Sequence, residues 1–379
     1  MKILYLSTWD FTNEMSDGVC KKIKAQISVF EKKGYRVDFI YLKDGKIVFR
    51  EDGIENIIGK VGIIKKTPAY IRMYNILKKK KYDWVYNRYG MMDTFYFRVL
   101  KCLNRNGAKI LIEIPTYPYD EEKQGGLLYH LFFAWDRSYR RRLKNVADRI
   151  ITYSKDSHIF DIPAIQVMNG IDLSHVEVAK SDEKSEDVIR LMIVAYMQPY
   201  HGYERLLKGL KNYYDGLGKR NIQCHFVGDG PERAVYEKLA AQYDLLNHTT
   251  FYGALNGEAL NQIFDMCDIG VCSLGGYKKG LFLSSELKSR EFLAKGLPII
   301  TGVDIDVLIN ADMPCYLQFS NDASDIDMEE IVGFYDRLYQ EPGDIKKVRE
   351  KIRHLAEKYI DMSITMQPVT DYMQDKENK

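Results

Sequence analysis

The chain has 379 residues, 46% hydrophobic and 28% charged, with 55 Lys and Arg against 53 Asp and Glu for a net charge of +2. That length suits two globular domains, the apolar fraction excludes a disordered chain, and the near balance of charge gives no support to a nucleic-acid partner. The six cysteines (Cys20, Cys102, Cys224, Cys267, Cys272, Cys315) are scattered without CxxC spacing, so they read as reduced thiols of a cytoplasmic protein and not as a disulfide framework or zinc site.

Lys2-Ile3-Leu4-Tyr5-Leu6 begins a strand directly. It lacks the apolar core and cleavage site of a signal peptide, and no apolar run is long enough to span a bilayer, so the expectation is a protein neither secreted nor membrane-spanning. Ser16-Asp17-Gly18-Val19 then forms a turn, either a plain N-cap or a place where Gly18 lets an acceptor or phosphate approach the backbone. A helix from Val19 to Lys33 precedes strands at Arg36–Tyr41, Trp84–Tyr86 and Lys109–Glu113. Glu113-Ile114-Pro115-Thr116-Tyr117-Pro118-Tyr119-Asp120 is read as a proline-stiffened loop whose carboxylates, Glu113 and Asp120, suit sugar hydroxyls or a proton-accepting role; ordinary loop polarity is the alternative. Residues 129–144 mix large aromatics with basic side chains on one expected helix, a pattern that supports reversible contact with an anionic membrane surface or a solvated basic face. Arg149–Tyr153 closes the first strand-helix-strand series, and the polar stretch Val178–Glu186 separates it from a second.

The second series runs through strands at Ile189–Val194, Gln223–Val227, Thr249–Tyr252 and Ile269–Cys272, with helices near Tyr203–Tyr214, Glu232–Tyr243 and Glu258–Cys267. Two doubly wound α/β domains with ligands at the carboxyl ends of their strands are expected. His201 and Gly202 fall just after the first of these strands, and Gly228-Asp229-Gly230-Pro231 turns from the second into a helix. Neither a GxGxxG fingerprint nor a GxxxxGK[ST] loop occurs, which counts against dehydrogenases and P-loop enzymes. Ser284–Thr301 reads as an N-capped helix, a stop at Gly296 and a strand. Its first turn would present free N–H groups to a phosphate, with Lys288 and Arg290 as cations and Glu291 as a hydroxyl-binding carboxylate; an exposed Glu286/Arg290 ion pair is the plainer alternative.

Taken in order, Asn169-Gly170-Ile171-Asp172, His201-Gly202-Tyr203-Glu204-Arg205-Leu206, Val227–Glu232, Phe251-Tyr252-Gly253 and Arg290–Pro298 resemble the retaining glycosyltransferases of family 4. The resemblance implies the GT-B fold: two Rossmann-like domains facing a central cleft, here 1–168 for the acceptor and 188–359 for the nucleotide sugar. Residues 169–187 would be the hinge, and a final helix within 360–379 would cross back to the first domain. It implies a nucleotide diphosphate sugar as co-substrate, no cofactor and no metal ion. Glu291 would hold the donor ribose and the backbone at Tyr252 and Gly253 the base, with His201, Gly202 and Gly228 lining the same pocket; Gly18, Glu113, Tyr117, Tyr119 and Asp120 would serve the acceptor. Similarity to capsule and exopolysaccharide enzymes implies a polyprenyl-diphosphate-linked glycan acceptor and a cytoplasmic, peripheral membrane location. Tyr196 and His201 stand where the family has an arginine and a lysine, and Leu283 where it has a glutamate; Glu286, Lys288 and Arg290 are expected to take over as catalytic clamp. The alternatives are a catalytically silent subunit that binds a partner transferase, or an epimerase on the same scaffold.

Overall fold

A computed structural model describes residues 1–12, 18–61, 66–90, 94–117, 127–180, 187–309, 315–340 and 344–375. The chain divides into two units, Met1–Val167 with Thr365–Lys379, and Met168–Ile364. No helix among the described residues is long and apolar enough to cross a membrane.

In the first unit the elements follow as β1 (Lys2–Asp10), α1 (Gly18–Lys32), β2 (Arg36–Lys43), β3 (Lys46–Glu51), β4 (Ile54–Lys60), α2 (Lys66–Leu77), β5 (Trp84–Arg88) and α3 (Thr94–Arg105). Then come β6 (Lys109–Ile114), α4 (Leu127–Arg140), β7 (Arg149–Thr152), β8 (His158–Ile159) and β9 (Ile162–Gln166). The sheet order is β4-β3-β2-β1-β5-β6-β7-β9-β8, with β1, β2, β5, β6, β7 and β9 paired in parallel. Ile3 to Leu6 are fully buried, as a strand covered by helices on both faces must be. The antiparallel pair β3 and β4 is additional to the expected rhythm. Its turns are Asp44-Gly45 and Asp52-Gly53, all four residues at positive φ, the backbone that a tight hairpin with matching twist requires.

The second unit contains β10 (Val188–Val194), α5 (Tyr203–Asp215), β11 (Asn221–Val227), α6 (Arg233–Gln242), β12 (Thr249–Gly253), α7 (Gly257–Met266), β13 (Ile269–Val271) and β14 (Leu283–Ser284). It continues with α8 (Leu287–Ala294), β15 (Ile299–Thr301), β16 (Asp304–Ile305), β17 (Tyr316–Gln318), α9 (Met328–Leu338), α10 (Asp344–Tyr359) and most of α11 (Met362–Thr365). Its main sheet is parallel throughout, in the order β12-β11-β10-β13-β15-β17. Residues 169–180 of the expected hinge are folded onto this unit. The Asn169 amide donates to Ser285 Oγ (3.0 Å), Ile171 bridges to Asp361, and Arg353 donates to the carbonyls of Leu173 and Val176. The last helix, α12 (Gln367–Gln374), belongs to the first unit. Val369 and Met373 are buried there, and Tyr372 meets Trp84 edge-on at 5.8 Å.

Candidate functional site

In chain order the second sheet reads third, second, first, fourth, fifth, sixth strand, so the connections leave β10 and β13 in opposite directions. A crevice at the carboxyl ends of that pair is where doubly wound sheets hold ligands. Two loops meet there, 195–202 after β10 and 272–286 after β13. Their contact is backbone on backbone: Gly202 has φ +70, and a Cβ on it would lie 2.5 Å from the Gly275 nitrogen. The Leu274 amide donates to the His201 carbonyl at 2.8 Å. Buried Arg205 ties the same loop down by donating to the carbonyls of Leu274, Ser320 and Ser324.

Beyond this contact stands the start of α8. Its N-cap is Glu286, so the helix starts later than the Ser284 at which the sequence reading begins it: Ser284 lies in β14, paired with β16. The Glu286 carboxylate accepts from the Ser273 amide (3.2 Å) and hydroxyl (2.7 Å) and lies 3.6 Å from Lys288 Nζ. Lys288 donates to the Tyr203 hydroxyl at 3.0 Å. Burial opposes charge on both groups, but they outweigh it for each other, with Tyr203 and Ser273 helping: the Lys288 pKa is raised and the Glu286 pKa lowered. Both are therefore ionised at neutral pH.

His201 completes the cluster in the opposite sense. Burial, then Lys288 and Lys279, push its pKa down to about 2, so the ring is neutral. Its Nδ1 accepts from the Gln198 amide at 3.2 Å, which places the ring proton on Nε2 and makes that nitrogen a donor. Lys279, whose Nζ lies 3.6 Å from the centre of the Tyr200 ring, adds a second cation near the ring.

Arg290 departs from the expected clamp. Residues two apart on a helix point about 200° away from each other, so Lys288 at the crevice sends Arg290 into the unit. Arg290 is 0% exposed and donates to Asp306, Ser285 Oγ and the Asn169 carbonyl. It is a structural anchor for residue 169 and the β16 end. Glu291, three residues after Lys288, is partly buried on the neighbouring face.

Along the same sheet edge the glycine turn after β11 is packed on the β10 end. A Cβ on Gly228 would stand 1.9 Å from the Ala195 oxygen, and one on Gly230 2.4 Å from the Met197 oxygen. The Gly228 amide donates to the Gly253 carbonyl at 2.7 Å, so Gly228, Gly253 and the β10 end form one ledge. The Tyr252 hydroxyl meets His225 Nδ1 at 2.9 Å; its ring is committed to the protein, and only backbone at 252–253 is offered.

The residues expected to serve an acceptor do not gather in this way. Glu113 is not on a loop but inside β6, 0% exposed. It binds Arg88 at 2.5 Å, Lys22 at 3.2 Å, the hydroxyls of Tyr86 and Tyr153 at 2.9 Å and Gln26 Nε2 at 3.1 Å. Burial alone would raise its pKa, but Lys22, Arg88 and the two tyrosines outweigh burial and hold it at about 2. Every lone-pair direction is occupied by protein, which leaves no oxygen for a sugar. Gly18 is the first residue of α1, and Tyr117 packs edge-on against Phe160 at 6.0 Å. Tyr119 and Asp120 lie outside the described residues, as do Ser16 and Asp17. Of the 129–144 stretch, α4 ends at Arg140. Arg140 and Arg142 stack on Phe160 and Tyr139, Lys144 pairs with Asp161 at 3.1 Å, and Trp135 is half exposed.

Sequence reasoning missed Ser273, Tyr203, Gly275 and Lys279. No local spacing points to the first two, but Gly275-Gly276 ahead of Lys278-Lys279 is a visible loop signal at a strand end. Of the two glycines, Gly275 makes the close approach to Gly202.

Residues 176–275, which span β10 to the Gly275 loop, match the family model described as glycosyl transferases group 1. Among solved structures, sucrose-phosphate synthase from Thermosynechococcus elongatus superposes with a TM-score of 0.64 at 15% identity, covering 98% of each chain. WaaG, a glycosyltransferase involved in lipopolysaccharide biosynthesis, gives 0.63 at 15% identity over 97% of this chain and 98% of its own. The chain has the GT-B fold. A third GT-B structure, the pneumococcal O-GlcNAc transferase GtfA in complex with UDP and GlcNAc, gives 0.61 at 12% identity over 99% of both chains. No curated protein sequence matches significantly. The GT-B assignment therefore rests on the segment match and on shape.

Proposed function

We propose that the chain is a retaining glycosyltransferase that moves a hexose from a nucleotide diphosphate sugar to a hydroxyl of a lipid-linked glycan, in the cytoplasm and in bacterial surface polysaccharide assembly. The observation that carries the reading is the Lys288 ammonium, held by Glu286 and Tyr203 near neutral His201, at the carboxyl ends of β10 and β13. As the bond from the anomeric carbon to the leaving diphosphate breaks, negative charge collects on the phosphate oxygens. A fixed cation, a ring N–H and the amides at the start of α8 would lower that barrier without rearranging. Glu291, on the face next to Lys288, is suited to the ribose hydroxyls, and the 252–253 backbone to the base. The reading requires no metal ion, the cationic groups taking that part. The segment match and the UDP-bound state of GtfA support a nucleotide donor. Peripheral contact with an anionic membrane would bring a lipid-linked acceptor within reach.

Thermal-shift screening with UDP, GDP, ADP and dTDP, followed by turnover with the matching nucleotide sugar, tests this. One nucleotide should stabilise the wild-type chain, and Lys288→Ala should lose that shift. Stabilisation by none of the four would instead leave a catalytically silent subunit.

A further inference from the structure

Between residues 56 and 112 the sequence carries thirteen Lys and Arg against two Asp and no Glu, in a chain whose net charge is only +2. Some of these cations are committed within the first unit: Lys80 to Glu51 and Arg88 to Glu113. Others are displayed together. Helices α2 and α3 contain no acidic residue. On α3, Arg98, Lys101 and Arg105 are exposed at spacings of three and four, one stripe of like charge that disfavours the helix unless an anion lies against it. Lys78, Lys79 and Lys81 are exposed just past the end of α2. Asp83 accepts from the Lys2 amide, and Asp93 lies outside the described residues.

Between the two helices runs a groove of about 850 Å³, lined by Ile71, Tyr74 and Phe95 as well as by Arg98, Lys101 and Arg105. Ile71 is 44% exposed and Tyr74 37%, while Ala69, Tyr70, Met73 and Leu77 turn inward and secure α2 to its sheet. The Arg98 guanidinium carbon lies 5.5 Å from the centre of the Phe95 ring, and a guanidinium stacked on a ring face still presents its in-plane N–H groups to oxygen anions. Cations beside exposed apolar groups on one face suit the boundary between phosphate headgroups and acyl chains better than a polynucleotide, which offers nothing to Ile71.

We propose that this groove seats the phosphate headgroup of an anionic phospholipid, and that α2 and α3 are the face by which the first unit docks on a bilayer. The stripe of α3 meets the phosphates, and Ile71 and Tyr74 enter the acyl boundary. The proposal names the surface for the membrane contact that the transferase reading includes, and vesicle binding tests it separately from nucleotide binding and turnover.

Co-sedimentation of the full chain with phosphatidylcholine vesicles, with and without phosphatidylglycerol, tests it. Binding is expected only with phosphatidylglycerol, weakening as salt rises. The double variant Arg98→Gln, Lys101→Gln should bind roughly thirtyfold more weakly, since each cation contributes about fivefold. Ile71→Ser with Tyr74→Ser should also weaken binding while leaving the salt dependence unchanged. All four side chains are exposed, and circular dichroism melts and nucleotide thermal shifts of the variants should match the wild type. Equal binding to both vesicle types, or wild-type binding by both variants, overturns the proposal. So does loss of binding in Arg137→Gln, Arg141→Gln alone, which would assign docking to the end of α4. Duplex RNA that displaces the vesicles and is itself lost with the α3 variant would overturn it in favour of nucleic acid.

Discussion

Glu113 in the first unit is a buried carboxylate and Glu286 in the second a partly buried one, both beside cations near the carboxyl ends of parallel strands, yet they are finished to different degrees. Glu113 has two cations, two tyrosine hydroxyls and an amide around it, and no exposed surface. Glu286 has Ser273 and one lysine, and the Lys288 side chain is 10% exposed. A saturated network holds a fold; one with a cation still able to meet a ligand can do chemistry. The contrast also explains why a strand-end carboxylate alone says little about function.

Removing the carboxylate from the closed cluster should have the largest effect on stability. Glu113→Ala leaves Lys22 and Arg88 buried without their shared counter-charge and should cost about 3–5 kcal/mol, read as a lower denaturant midpoint. Lys288→Ala should do the reverse, reducing kcat with the cognate nucleotide sugar about 10²–10³-fold at a smaller cost in stability, because Glu286 keeps both of its bonds from Ser273. If instead Glu113→Ala folded normally and lost turnover, the division between the clusters would collapse. Arg290→Met should lower stability by about 1.5–3 kcal/mol and leave kcat near the wild-type value, because its guanidinium serves Asp306 and Ser285. A kcat loss as large as that of Lys288→Ala would return Arg290 to the clamp.

A slope with pH separates the two clusters without disrupting either. His201 stays neutral in the folded chain down to about pH 2, whereas an unfolded histidine takes up a proton below 6.5. The unfolded state then binds more protons, so His201 lowers stability by about 1.4 kcal/mol per pH unit as the pH falls below 6.5. Glu113, at about 2 folded against an ordinary 4.5, contributes its full stabilisation above 4.5 and loses it as the pH falls from there toward 2. Denaturant midpoints from pH 6.5 to 4.5 should flatten in His201→Gln, whereas the steeper loss below 4.5 should disappear in Glu113→Ala.

Much of the fold is legible in the chain because burial on both faces writes apolar runs and one-sided burial writes helical periodicity. The helix expected at Tyr203–Tyr214 runs Tyr203–Asp215, and the strand expected at Arg36–Tyr41 ends at Lys43. The β3 and β4 hairpin is legible in Lys43-Asp44-Gly45-Lys46 and Glu51-Asp52-Gly53-Ile54 but lies outside the βαβ rhythm that organises the rest. The candidate site is legible only in part. Lys288 and His201 stand out by their places at a helix start and a strand end. Glu113 does not, because its partners, Lys22 and Tyr153, come from distant elements that no local spacing brings together. Pairing Arg290 with Lys288 runs against the helical period, which by itself separates the two.

Each of Gly202 and Gly275 fills the space that a side chain on the other would need, 2.5 Å from one backbone and 2.8 Å from the other. The two loops are therefore not independent cassettes. Grafting either one alone, with any larger residue at the point of contact, would push its neighbour off the strand ends, so the rim of this crevice can be rebuilt only by exchanging both loops at once.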